Sequence, residues 1–159
     1  MLLDFSIGVI MKAVIQRVES ASVEVNKKII GNIDKGYMIL VCAEKDDGEE
    51  DIRYISNKIV NLRIFPDDKG RFHFSVKDIG GEILLISQFT LAADVNSGRR
   101  PSFSGAAEPE KALKLCQTLS KTIKAEGLKV QEGEFGAWMK VSLINDGPVT
   151  INLDSNKKN

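Results

Sequence analysis

From Met11 onward, hydrophobic and polar positions alternate in short blocks separated by turn residues, and two stretches change to a helical period. Residues 12–18 hold Val14, Ile15 and Val18 in loose alternation and predict a strand. Residues 21–25 and 29–33 flank Asn26-Lys27-Lys28, the pattern of a hairpin. After the turn Asp34-Lys35-Gly36, residues 37–43 form a continuous apolar run, as in a central strand covered on both faces. Acidic residues 46–51 then put negative charge where a helix N-terminus is stabilised by it. Ile52, Ile55, Ile59 and Leu62 follow at helical spacing and predict a first amphipathic helix.

The second half continues in the same manner. Residues 63–65 look like a strand, ended by Pro66 and the turn Asp67-Asp68-Lys69-Gly70. Gly80-Gly81 precede residues 82–91, the next strong strand, and residues 92–107 form a loop rich in Gly, Ser, Asn and Arg. Glu108-Pro109-Glu110 opens a second helix with proline in its first turn. Ala112, Cys116, Leu119 and Ile123 make its apolar face, and Gly127 closes it. Residues 128–133, 138–145 and 149–153 are predicted strands, and residues 145–150 read as the hairpin turn between the last two. The expectation is a single mixed α+β domain, with two helices and a sheet large enough to curl or close.

Boundaries follow from what interrupts this pattern. Residues 1–10 precede a second methionine, contain Asp4, and have no basic residue before Lys12. They do not make a secretory signal. They read as an N-terminal extension, with an added edge strand as the alternative. The working domain spans residues 11–153, and residues 154–159 form a polar tail expected to fray.

Composition narrows the chemistry. The chain has 159 residues, with 22 Lys plus Arg against 22 Asp plus Glu, so bulk positive charge does not hold it on a nucleic acid. No apolar run approaches the length of a membrane span. Two cysteines and one histidine are too few for a zinc site unless carboxylates supply the ligands. A Ser–His–Asp or Cys–His mechanism would have to use His73, which lies beside a turn at a strand edge and reads as structural. Cys42 and Cys116 lack CxxC spacing and suit a reducing cytoplasm. No metal or cofactor is called for.

Four segments have polar chemistry at unusual places. Ser87, Gln88 and Thr90, around Phe89, bring three hydrogen-bonding side chains to the end of an otherwise apolar strand. Buried without partners they would each cost about 1–3 kcal/mol, so they are either satisfied, used, or running out into solvent. In residues 97–105, Arg99 and Arg100 stand among serines, glycines and Phe103. Arginine forks suit phosphate, and Phe103 could stack on a base. Asn145-Asp146-Gly147-Pro148-Val149-Thr150, read above as a hairpin turn, places a Gly-Pro step between apolar strands. Lys111, Lys114, Lys121 and Lys124 fall largely outside the apolar face of the second helix. Such a stripe is usually a solvated face, though its sign suits a polynucleotide backbone.

Together, residues 11–18, Ser87-Gln88-Phe89-Thr90-Leu91, Arg100-Pro101-Ser102-Phe103 and residues 145–150 resemble the D-aminoacyl-tRNA deacylase family, in order and over nearly the whole chain. The resemblance implies a single compact α+β domain, with a curled, barrel-like core and two flanking helices, working as a homodimer that hydrolyses the ester between a D-amino acid and the terminal adenosine of tRNA, and also clears glycine misloaded on tRNA. It implies a cis Gly147-Pro148 bond, inserted into the partner's active site, whose carbonyls exclude an L side chain. Arg17 matches an arginine that braces this motif. Ser87, Gln88, Phe89 and Thr90 would be catalytic, with Arg100 and Phe103 binding substrate. An activated ester needs little acid–base help, and the neighbouring 2′-hydroxyl can carry the proton, so backbone N–H groups near Phe89 and Thr90 would stabilise the oxyanion. Thr90 as nucleophile remains an alternative, disfavoured because no base stands near it in sequence. Two other readings are a tRNA-end binding module that does not cleave and a different ester hydrolase that uses Thr90 directly.

Overall fold

The computed structural model describes residues 11–157. The N-terminal extension lies outside the described residues. β1 (Lys12–Val25) is one continuous strand where the pattern predicted two. Its pairing with β8 (Lys140–Asp154) shifts register on either side of Val18. A one-residue slip turns the following side chains to the opposite face. Ala13 and Ile15 therefore join one core, whereas Ala21 and Val23 join another.

β2 (Lys28–Ile33) returns antiparallel to the second half of β1. The turn residues Asn26 and Lys27 have φ of 50° and 65°, the two positive values that a tight hairpin turn requires. β3 (Gly36–Cys42) pairs antiparallel with the first half of β1, and β6 (Glu82–Ser87) runs parallel to β3. At Gly36 a Cβ would fall 1.9 Å from the Glu82 carbonyl oxygen, so only glycine admits this start of the parallel ladder. β7 (Lys129–Glu132) adds parallel to β6. The order is β2-β1-β3-β6-β7, with β8 on the free edge of β1. The sheet curls until β2 approaches β7, where a Cβ on Gly31 would sit 3.2 Å from the Glu132 carbonyl oxygen. β4 (Arg63–Pro66) and β5 (Phe72–Ser75) form a separate hairpin.

Two cores account for the apolar run of β3. On one face Tyr37, Ile39 and Val41 pack with Ile52, Ile55 and Ile59 of α1 (Glu49–Asn61) and with Leu119 and Ile123 of α2 (Pro109–Ala125). On the other face Met38 packs with Val23, Leu84 and Ile86 inside the curl. α1 starts as its sequence predicts: Glu49, Glu50 and Asp51 occupy the first turn, and the Asp51 carboxylate accepts the Gly48 N–H at 2.9 Å.

Four further expectations change. The strand predicted over 82–91 stops at Ser87, and Phe89–Ala92 form a 3₁₀ turn. Trp138 precedes β8 and is 88% exposed. Residues 145–150 are not a hairpin, because both flanking stretches pair antiparallel with the same strand, β1, in one direction. The polar tail begins anchored: Ser155 is buried, its hydroxyl accepts the Met11 N–H at 2.7 Å, and its N–H donates to the Met11 carbonyl at 2.9 Å.

Candidate active site

Residues 87–90 sit at the end of a strand held on both edges. The Gln88 N–H donates to the Val41 carbonyl at 2.8 Å and extends the parallel ladder by one residue before the chain turns. In the turn, the Leu91 N–H donates to the Gln88 carbonyl at 3.2 Å. The Phe89 and Thr90 N–H groups lie ahead of that bond, where the first donors of a helical turn have no carbonyl behind them. Beneath them the Cys42 thiol donates to the Phe89 carbonyl at 3.6 Å. Burial, together with Glu44 and Asp47, pushes this thiol up to about 11, so it stays protonated and inert at neutral pH. The Phe89 ring is 59% exposed and meets the Phe103 ring edge-on at 5.0 Å. Gln88 Nε2 donates to Thr90 Oγ1 at 2.5 Å. A donated amide proton orients the Thr90 hydroxyl without removing its proton, so this contact does not activate it.

Ser87 faces a cleft of about 160 Å³ between α2 and the C-terminal ends of the parallel strands. Val41 and Leu85 line it from the sheet, Leu113, Cys116 and Gln117 from α2, and Glu132, Gly133 and Phe135 from the end of β7. The α2 residues recur at i, i+3 and i+4, one helical face. Cys116 lies on the apolar face that the helical period predicts and packs against the core, but it also lines this cleft, which the sequence did not indicate. The cleft's only sequence trace is the run of Leu113, Cys116 and Gln117 beside the core face.

The Gly147–Pro148 step forms a wide bulge in β8. Gln16 pairs with Thr150 and Val18 with Asn145, so Arg17 alone faces residues 146–149. Arg17 is 7% exposed. Its Nε donates to the Asp146 carbonyl at 2.8 Å and its Nη1 to the Ile64 carbonyl at 2.7 Å, tying the bulge to β4. The Phe72 ring centroid lies 5.9 Å from the guanidinium carbon. Neither the Ile64 carbonyl nor Phe72 was legible in the sequence as part of this group. Asn145 Oδ1 accepts the Val149 N–H at 2.8 Å, and Asn145 Nδ2 donates to Thr150 Oγ1 at 3.1 Å. The Gly147-Pro148 bond is cis. Gly147 has φ of 144°, and a Cβ there would sit 3.0 Å from the Val149 nitrogen and 3.1 Å from Arg17 Nη2. Both residues of the step are exposed.

The candidates thus form two groups. Ser87, Gln88, Phe89, Thr90 and Phe103 gather at the end of β6, and Arg17, Gly147 and Pro148 gather at the bulge. Among the described residues no hydrogen bond or ring contact joins them. Arg100 stands exposed in a loop closed by paired backbone bonds between Asp94 and Ser102, at 2.7 and 2.9 Å. His73 lies on β5, with Nδ1 3.0 Å from Arg63 Nη2, and touches neither group.

Residues 14–154 match the family described as D-Tyr-tRNA(Tyr) deacylase. The chain belongs to that family. It is an enzyme, a hydrolase. D-aminoacyl-tRNA deacylase of Thermosipho melanesiensis is 56% identical over 148 residues, which are 92% of this chain and 99% of that relative. The enzyme of the same description from Flavobacterium psychrophilum is 54% identical over 149 residues, 93% of this chain and 99% of its own. The deacylase also superimposes on the c-Myc DNA unwinding element binding protein with a TM-score of 0.84 at 38% identity, covering 89% of this chain and 97% of that one. A probable eukaryotic D-amino acid tRNA deacylase shares the fold at a TM-score of 0.81 and 16% identity, over 91% and 99% of the two chains. No helix among the described residues is long and apolar enough to cross a membrane.

Proposed function

We propose that this deacylase hydrolyses the ester between a D-amino acid, or misloaded glycine, and the terminal adenosine of tRNA, acting as a cytoplasmic homodimer without a cofactor. The observation that carries the reading is the Gly147–Pro148 bulge, exposed yet held by the buried Arg17. An exposed backbone step with a rigid anchor suits insertion into a second copy. There its carbonyls would occupy the volume that an L side chain needs. Exclusion by backbone atoms does not depend on side-chain identity, and glycine, having no side chain, passes the same filter.

The cleft beside Ser87 takes the terminal adenosine, and Phe89, Phe103 and Arg100 bind the substrate outside it. Water adds to the ester carbonyl, and the Phe89 and Thr90 N–H groups receive the developing oxyanion. The tetrahedral intermediate then breaks its bond to the ribose oxygen, which takes up the proton passed on by the adjacent hydroxyl. Free amino acid and tRNA leave. Thr90, hydrogen-bonded by Gln88, orients the substrate rather than attacking it. Deacylation of D-, L- and glycyl-tRNA by wild type and Gly147→Ala, with dimer content measured in parallel, tests the reading. Wild type should cleave the D- and glycyl-esters and spare the L-ester. Gly147→Ala, whose methyl meets Val149 and Arg17, should lose D-activity or admit L-substrates while remaining folded. Equal wild-type rates on D- and L-esters would overturn the filter.

A further inference from the structure

We propose that the exposed face of α2 is the track followed by the phosphate backbone of the tRNA acceptor strand as it leaves the cleft, with Lys114 and Lys121 as its contacts. This rests on the reading that the 3′ end occupies the cleft.

The geometry begins at the cleft wall. Leu113, Cys116 and Gln117 of α2 line it. On a helix, residues three and four apart are surface neighbours, so Lys114, Gln117, Lys121 and Lys124 make one row bordering that wall. The lysines of α2 are not equivalent. Lys111 donates to the Lys45 carbonyl and ties the helix to the loop before α1. Lys124 pairs with Glu132 at 3.8 Å. Lys114 and Lys121 are exposed, and among the described residues neither makes an ion pair or a side-chain hydrogen bond. The neighbouring threonine hydroxyls are occupied: Thr118 donates to the Lys114 carbonyl at 2.9 Å and Thr122 to the Thr118 carbonyl at 2.8 Å. Seven residues along a helix put the two lysine Cα atoms about 10 Å apart along the axis.

A solvated lysine face needs no explanation on a soluble helix. The row's position supplies one here. The chain as a whole carries no net charge, so attraction to a polyanion must come from a local surface. A polynucleotide whose end is held in the cleft must cross the cleft rim, and the row of α2 provides unpaired cations there. Contacts of this kind bind backbone without reading sequence.

The test compares D-aminoacyl-tRNA with D-aminoacyl-adenosine as substrates. Lys114→Ala/Lys121→Ala should raise KM for the tRNA on the order of tenfold near physiological salt. The salt slope of log(kcat/KM) should become shallower by about 0.7–0.9 per lysine. Its kcat, and its turnover of D-aminoacyl-adenosine, should match wild type. Lys27→Ala/Lys28→Ala, at the β1–β2 turn, is the control for general charge loss and should leave KM and slope unchanged. Leu113→Trp, which fills the cleft, should block both substrates. If Leu113→Trp blocks turnover while the α2 variant keeps wild-type KM and slope, or the control shifts them equally, the track is wrong. If Leu113→Trp leaves D-aminoacyl-adenosine turnover intact, the cleft reading itself fails, and the track with it.

Discussion

Residues 87–90 and residues 145–150 are both short polar breaks in an apolar strand, yet they are held in opposite ways. The first break ends β6, which lies between β3 and β7 with a core on each face. Its position is fixed many times over: by the ladder to β3, by the Gln88 N–H on Val41, by the Cys42 thiol, and by the ring of Phe103. The second break lies on β8, which pairs with β1 alone. Its position depends on one guanidinium with two carbonyl partners and on one asparagine side chain. Redundant support tolerates the loss of any one contact, whereas a single buried charged anchor does not.

Removing that anchor should have the largest effect. Arg17→Ala leaves the Asp146 and Ile64 carbonyls without their donor and opens a cavity where a buried side chain stood. Each lost bond to a charged group is worth about 1.5–3 kcal/mol, so unfolding stability should fall by several kcal/mol and deacylation by more than about 100-fold. Arg17→Lys should recover little, because one ammonium does not reproduce a fork aimed at two carbonyls. Denaturant melts and deacylation rates on D-aminoacyl-tRNA check both. Near-wild-type activity in Arg17→Ala would show that the bulge holds itself and would erase the contrast.

Thr90→Ala probes the redundant side. If the hydroxyl only orients substrate, the rate should drop about 10–100-fold, or about 1.4–2.7 kcal/mol of transition-state stabilisation, with the melt unchanged. A covalent aminoacyl adduct on Thr90, sought by mass spectrometry of quenched reactions, would make it the nucleophile instead.

The smallest effect should come from the loop that supports the first site from below. Asp47 is buried between β3 and α1, its carboxylate accepts the Glu44 N–H, and burial pushes its pKa up to about 7. The neighbouring Lys45 N–H holds the Gly105 carbonyl at 3.2 Å, and the Ala107 N–H reaches the Ala43 carbonyl at 3.1 Å. An unfolded aspartate releases its proton near pH 4, so between about pH 4 and 7 the folded chain binds the extra proton. This group's contribution to stability is therefore greatest in acid, declines as pH rises to about 7, and levels off above. Asp47→Asn, which retains an oxygen acceptor, should flatten that decline in melts run from pH 4 to 8. Its deacylation rate should stay at the wild-type level if the Ser87–Thr90 end is as redundantly held as its contacts indicate.

Much of the fold was legible because its signals are local. The helical period of Ile52, Ile55 and Ile59, the acidic first turn before them, Pro109 at the start of α2 and the doubly apolar run of β3 all act within a few residues. A chain carrying them adopts those elements in many contexts. The composition of residues 87–90 and 145–150 likewise marks them as breaks before any fold is known. What kind of break each becomes is another matter. Asp146-Gly147 has the chemistry of a hairpin turn, and only the pairing of both flanks with β1 makes it a bulge. The register slip that sends Ala21 and Val23 into the second core depends on the same pairing. Arg17 finds its acceptors 129 and 47 positions away. The cleft exists only where α2 crosses the ends of three strands distant in sequence. Helical and strand periods and the family motifs act within a few residues and are legible in the chain alone; strand partners, the fate of residues 145–150, the use of Arg17 and the cleft come from packing in three dimensions, because hydrogen-bond partners and packing neighbours are chosen in space, and no local pattern encodes them.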